Sequence, residues 1–97
     1  MDTLSVVINK LQKEGYTYSI RNEEINKLNA DYWIIDNIYR FEGNSNPSDN
    51  SILYALTNIK SNEKALLVNA YGVYADSNLN DFIRKLMMRR DFTDQRL

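Results

Sequence analysis

Leu4, Val7, Ile8 and Leu11 fall at i, i+3, i+4 and i+7 in the first segment of the chain. That spacing brings four apolar side chains to one side of a helix, so it predicts about three amphipathic turns facing a core. Asp2 or Thr3 can cap the first turn, and Gly15 stands where a helix end favours a left-handed residue. Tyr16 to Ile20 then alternates aromatic or apolar with small polar residues, as a short strand does. Asn22, followed by Glu23 and Glu24, predicts a short helical turn through Leu28, because acids suit the positive end of a helix.

From Tyr32 the chain turns to β-branched and aromatic residues, and three strand-like runs follow: Tyr32–Glu42, Ser51–Ile59 and Lys64–Tyr74. The cluster of turn formers from Gly43 to Asn50 separates the first two, and Lys60-Ser61-Asn62-Glu63 separates the last two. Short connections join antiparallel neighbours, so the three runs predict a meander. In the third run Leu66, Val68 and Ala70 share one face and Ala65, Leu67 and Asn69 the other, so both faces of this strand are partly apolar. One side of the sheet is expected under helices and the other under something else, such as a second copy. Leu79, Phe82, Ile83, Leu86 and Met87 then repeat the helical stripe, with Ser77 or Asn78 as cap and Arg89 and Arg90 near the carbonyl pole. Residues from Asp91 onward are expected to fray. The sum is an α+β fold over residues 1–97. A three- to four-stranded antiparallel meander carries the N- and C-terminal helices on one face.

Composition narrows the chemistry more than it narrows the fold. The 97 residues include no histidine and no cysteine. The side chains that titrate near neutral pH and the soft or borderline metal ligands are therefore missing together. A general base would have to be a carboxylate, tyrosine or lysine moved far from its solution pKa. No metal site and no cofactor are expected, and no Gly-rich phosphate loop occurs. Met-Asp-Thr-Leu-Ser at the start lacks the basic and apolar regions of a signal peptide, which makes a cytoplasmic location the expectation. No apolar run approaches the roughly 20 residues of a membrane span, so no membrane partner is expected. Residues 84–97 carry five basic and two acidic side chains, but a pI of about 5.3 argues against a nucleic-acid partner.

Four features are candidates for a site. The oxygen-rich turn from Asn44 to Asn50, which includes Asp49, reads first as a structural loop, because Asn, Ser and Asp hydrogen-bond their own backbone in turns. Arg40 and Glu42 lie two apart on a strand and project from one face, within reach of Asp76. An arginine held between carboxylates binds an anionic ligand if one carboxylate moves away, or else serves as an internal ion pair. Trp33, Tyr39, Phe41, Tyr54, Tyr71 and Tyr74 fall in or beside strands, where aromatics form a core, a self-association surface or a stacking platform. Gly72 marks a bulge or a close backbone approach.

Tyr39-Arg40-Phe41-Glu42-Gly43, Ser45-Asn46-Pro47, Asp49, Ser51, Tyr54-Ala55 and Ala70-Tyr71-Gly72-Val73-Tyr74-Ala75-Asp76 resemble a family of small, uncharacterised bacterial proteins of about this length. Some of its members carry the label phosphoribosylpyrophosphate synthetase. The resemblance spans about residues 39–76. It implies a shared fold and a shared site around Arg40, Glu42, Asp49 and Asp76; the family has acidic residues where this chain has Ser48 and Asn69. It does not imply the labelled activity, since phosphoryl transfer requires groups that clamp several phosphates and metal ions, and those loops are missing here. Two functional expectations follow. One is a non-catalytic interaction module that pairs with itself. The other is an enzyme or binding domain for a small anionic, phosphorylated metabolite, built on Arg40, Glu42, Asp49, Asp76, Tyr39 and Tyr71.

Overall fold

The first apolar stripe forms helix α1 (Leu4–Lys13), with the Thr3 hydroxyl accepting from the Val6 amide as its cap. Gly15 follows at φ +107°, a left-handed position that an L side chain adopts only under strain. The computed structural model describes residues 3–41, 50–70 and 76–96. Beyond α1 come a two-residue strand β1 (Tyr18–Ser19) and two 3₁₀ segments (Asn22–Lys27 and Ala30–Tyr32). Strands β2 (Trp33–Phe41), β3 (Ser51–Asn58) and β4 (Lys64–Ala70), helix α2 (Ser77–Lys85) and strand β5 (Met87–Arg96) follow. No helix among the described residues is long and apolar enough to cross a membrane.

The sheet runs in the order β1-β4-β3-β2-β5. Its centre is the expected meander: β2 pairs antiparallel with β3, and β3 with β4. Both edges depart from expectation, because β1 joins β4 in parallel and β5 joins β2 in parallel. Among the described residues the sheet therefore has five strands and is mixed, rather than three- to four-stranded and antiparallel. The correction has one main source: residues 87–90, expected to close the last helix, and those from Asp91, expected to fray, form a strand instead. A strand connected through a helix returns to the sheet in the same direction as its neighbour.

The helices also sit differently from the expectation. Val7 and Leu11 of α1 pack with Leu53, Ala55 and Leu66. Leu79 and Phe82 of α2 pack with Ile35, Leu56 and Leu67. Residues 53 and 56, like 66 and 67, point to opposite sides of their strands, so α1 covers one face and α2 with the 3₁₀ segments covers the other. The physical reason lies in β3 and β4, which are apolar on both sides and leave no face that water could cover cheaply. Trp33, Tyr54 and Phe41 are buried in these two layers and offer no outer surface; Tyr71, Gly72 and Tyr74 lie outside the described residues.

Candidate functional site

Alternation on β2 breaks at Asp36. Ile35 pairs with Leu56 and Asn37 with Ala55, which leaves Asp36 as an extra residue without a partner on β3. On the other side Ile35 pairs with Met88 and Asn37 with Thr93, so four residues of β5 bow out opposite the same point. A bulge of this kind re-aims a side chain and bends its strand. Here it turns a carboxylate toward the face that α1 covers, where Asp36 is only 6% exposed.

A buried carboxylate is costly unless donors surround it. Three elements supply them. The Tyr16 hydroxyl, just past α1, donates to Asp36 Oδ2 at 2.7 Å, and Thr57 Oγ1 on β3 donates to the same oxygen at 2.5 Å. Arg89 Nε on β5 donates to Oδ1 at 2.6 Å. Lys64 of β4 holds its ammonium 5.2 Å from the centre of the Tyr16 ring, a cation–π contact. Thr57, Asn62, Lys64, Asn37 and Arg89 rim an open depression of about 550 Å³ above the carboxylate. Asn62 reaches its place through a left-handed backbone at φ +62°, a conformation Asn tolerates better than most residues.

Burial pushes the Tyr16 phenol well above its ordinary value, and the hydrogen bond to Asp36 and that carboxylate's charge push in the same direction. The sign for stability follows. In the unfolded chain the phenol releases its proton near pH 10, while the folded protein keeps it, so above that pH the unfolded state holds fewer protons and stability falls. Tyr39 and Tyr54 are raised as well, chiefly by burial. Urea midpoints are expected to hold steady up to about pH 9 and to drop by about pH 11. Tyr16→Phe should remove part of that drop; an identical alkaline fall in the variant would mean that Tyr16 is not its source.

The residues singled out in the sequence gather elsewhere, and not as one group. Arg40 forms a two-pronged ion pair with Asp94 of β5, Nε to Oδ1 at 2.8 Å and Nη2 to Oδ2 at 3.0 Å. Asp94, rather than Asp76, is thus the carboxylate seen on Arg40. Asp76 caps α2 instead, accepting from the amides of Asn78 and Leu79, while its own amide donates to Asn69 Oδ1. Tyr39 points to the α1 side, the opposite face from Arg40, because neighbouring strand residues diverge. Glu42, Asp49 and the rest of the Asn44–Asn50 turn short of Asn50 lie outside the described residues. Asp36 was legible only as an irregularity: in Trp33-Ile34-Ile35-Asp36-Asn37-Ile38 the buried apolar positions Ile35 and Ile38 are three apart, where a regular strand keeps them two or four apart.

A second depression, of about 630 Å³, lies between the 3₁₀ segments and α2. Its cations Lys27 and Lys85 are matched by Asp31 and Asp81, so it carries no excess of either sign. Among the described residues no group of three or more acidic side chains comes together to hold a metal ion. No protein-family model matches the chain, and no curated protein or solved structure shows significant similarity to it.

Proposed function

We propose that the protein is a non-catalytic binding domain whose depression above Asp36 takes a small anionic ligand of the phosphate class. The observation that carries this reading is the charge of the rim. Lys64 and Arg89 face one carboxylate, and that carboxylate already accepts three donors. Among the described residues the Lys64 ammonium has an aromatic ring beneath it and no carboxylate partner. An anion entering the depression would meet this ammonium together with the side-chain amides of Asn37 and Asn62, a donor-rich setting suited to phosphate oxygens. The same hydrogen bonds argue for binding over catalysis, because a carboxylate engaged by Tyr16, Thr57 and Arg89 is poorly placed to take a proton from a substrate.

Thermal melts in inorganic phosphate, matched in ionic strength with chloride, test the reading. A ligand present at about 100 times its Kd adds roughly 2.7 kcal/mol, which in a domain of this size raises Tm by at least about 10 °C. Lys64→Met should abolish the phosphate-specific rise while leaving the Tm in chloride within a few degrees. Equal melting in phosphate and chloride, repeated with a panel of sugar phosphates and nucleotides, would sink the proposal.

A further inference from the structure

We infer that β5 is an exchangeable arm: in a two-fold pair of chains it leaves its own sheet and docks on β2 of the second copy. Each Asp36 then receives Arg89 from the other chain. The inference stands apart from the ligand reading above, since it needs only the contacts that fasten β5.

Those contacts are mostly polar. Arg89 reaches Asp36, Asp94 takes the fork of Arg40, and the Thr93 amide and hydroxyl both donate to Asn37 Oδ1, at 3.1 and 2.9 Å. Among the described side chains of β5, Phe92 is the one that adds partly buried apolar packing. Met87 and Met88, at the head of the strand, are 76% and 53% exposed. Opening β5 therefore returns charged and hydroxyl groups to water and uncovers little apolar surface.

What it leaves behind is costly. The bared edge of β2 is a row of backbone donors and acceptors along nine residues, and such a row demands a new partner. The register selects that partner. Asp36, Asn37 and Arg40 are matched in order by Arg89, Thr93 and Asp94, a pattern that another β5 reproduces and an unrelated segment does not.

The joint favours exchange as well. α2 passes into β5 through Leu86 alone, already extended at φ −80° and ψ 143°, with its side chain buried. A link of one residue makes Leu86 the pivot about which the arm would turn. Because a swapped pair repeats every contact of the closed chain, concentration and the hinge set the balance.

The experiment uses the Arg40–Asp94 pair, which is partly exposed and tolerates charge reversal better than Asp36 does. Arg40→Asp and Asp94→Arg are made in separate full-length chains. Each alone sets like charges against each other, whether closed or self-swapped, and should melt about 5 °C below the parent. Unfolded together at high concentration and refolded, the two should form a heterodimer of twice 11.4 kDa by light scattering, with the parental Tm restored. Only exchanged arms set each reversed charge opposite its complement. A mixture that stays at the single-chain mass overturns the inference. So does a dimer that keeps the two lowered melting points, because its copies would then meet through another surface. Unaltered chains refolded at the same concentration should also yield the doubled mass, and their remaining single would count equally against it.

Discussion

Leu56→Ala is expected to remove about 3 kcal/mol of stability, within the span measured for buried leucine truncations. Leu56 has no exposed surface and stands on β3, the middle one of the five described strands. Its side chain belongs to the layer that holds Ile35, Leu67, Leu79 and Phe82, so the hole would open between the sheet and α2. Two rigid elements frame that hole, and the central strand cannot move inward without breaking ladders on both sides, so relaxation would fill little of it. A domain of this length has about 5 to 15 kcal/mol in total, and the loss should lower Tm by roughly 12 to 24 °C. In urea the midpoint should fall with the slope unchanged. A cost below about 1 kcal/mol would mean that this layer is not the core. Val68→Ala, on the partly exposed side of β4, serves as the control and should cost under about 1 kcal/mol.

Asp36→Ala comes next in size, for the opposite reason: it takes away polarity rather than volume. The Tyr16 and Thr57 hydroxyls are both buried, and both give their hydrogen to the carboxylate. Without it, each buried hydroxyl at the floor of the depression loses its acceptor, at about 1 to 3 kcal/mol apiece. Arg89 is half exposed and can turn to water, so its share is small and the ion pair should not be counted at full strength. A total near 3 kcal/mol is expected, again read from the urea midpoint. Asp36→Asn keeps one acceptor and the shape of the side chain and should cost about half as much. Thr57→Val, which deletes a single hydroxyl, should cost about 1 kcal/mol. If the alanine and valine variants proved equally stable, Asp36 would not be the point that ties Tyr16, Thr57 and β5 together.

The sequence revealed the elements whose faces differ and concealed those whose pairing is interrupted. Helix α1, with its Thr3 cap and left-handed Gly15, is written in the Leu4-to-Leu11 stripe, because one side meets a core and the other meets water. The three central strands stand close to where β-branched and aromatic residues placed them. Asp76 caps α2 in place of Ser77 or Asn78, and the helix stops at Lys85, short of the expected end near Arg89 and Arg90, because Met87 already belongs to β5. Strand β5 was hidden because Met-Met-Arg-Arg-Asp-Phe-Thr-Asp-Gln-Arg has no period of two. Four of its residues leave the ladder, and its hold on β2 comes from ion pairs more than than from apolar alternation. The two-sided apolar character of β4 showed that the second face needs a cover, but it suits a second copy as well as a helix, so the opposite placement of the helices was not legible from it. The site around Asp36 was less legible. It draws on residues 16, 36, 57, 64 and 89, and only the irregular spacing within β2 hints at the first link.

A sheet clad on both sides has a practical consequence for anyone seeking variants with altered recognition. Randomising outward strand positions in the clad middle would mostly strike the filling between layers and yield collapsed products. Useful diversity belongs at the rims, where strands run out and turns begin, such as the Asn58–Lys64 corner. There the backbone is braced by its own amide contacts, and new side chains meet solvent rather than a helix.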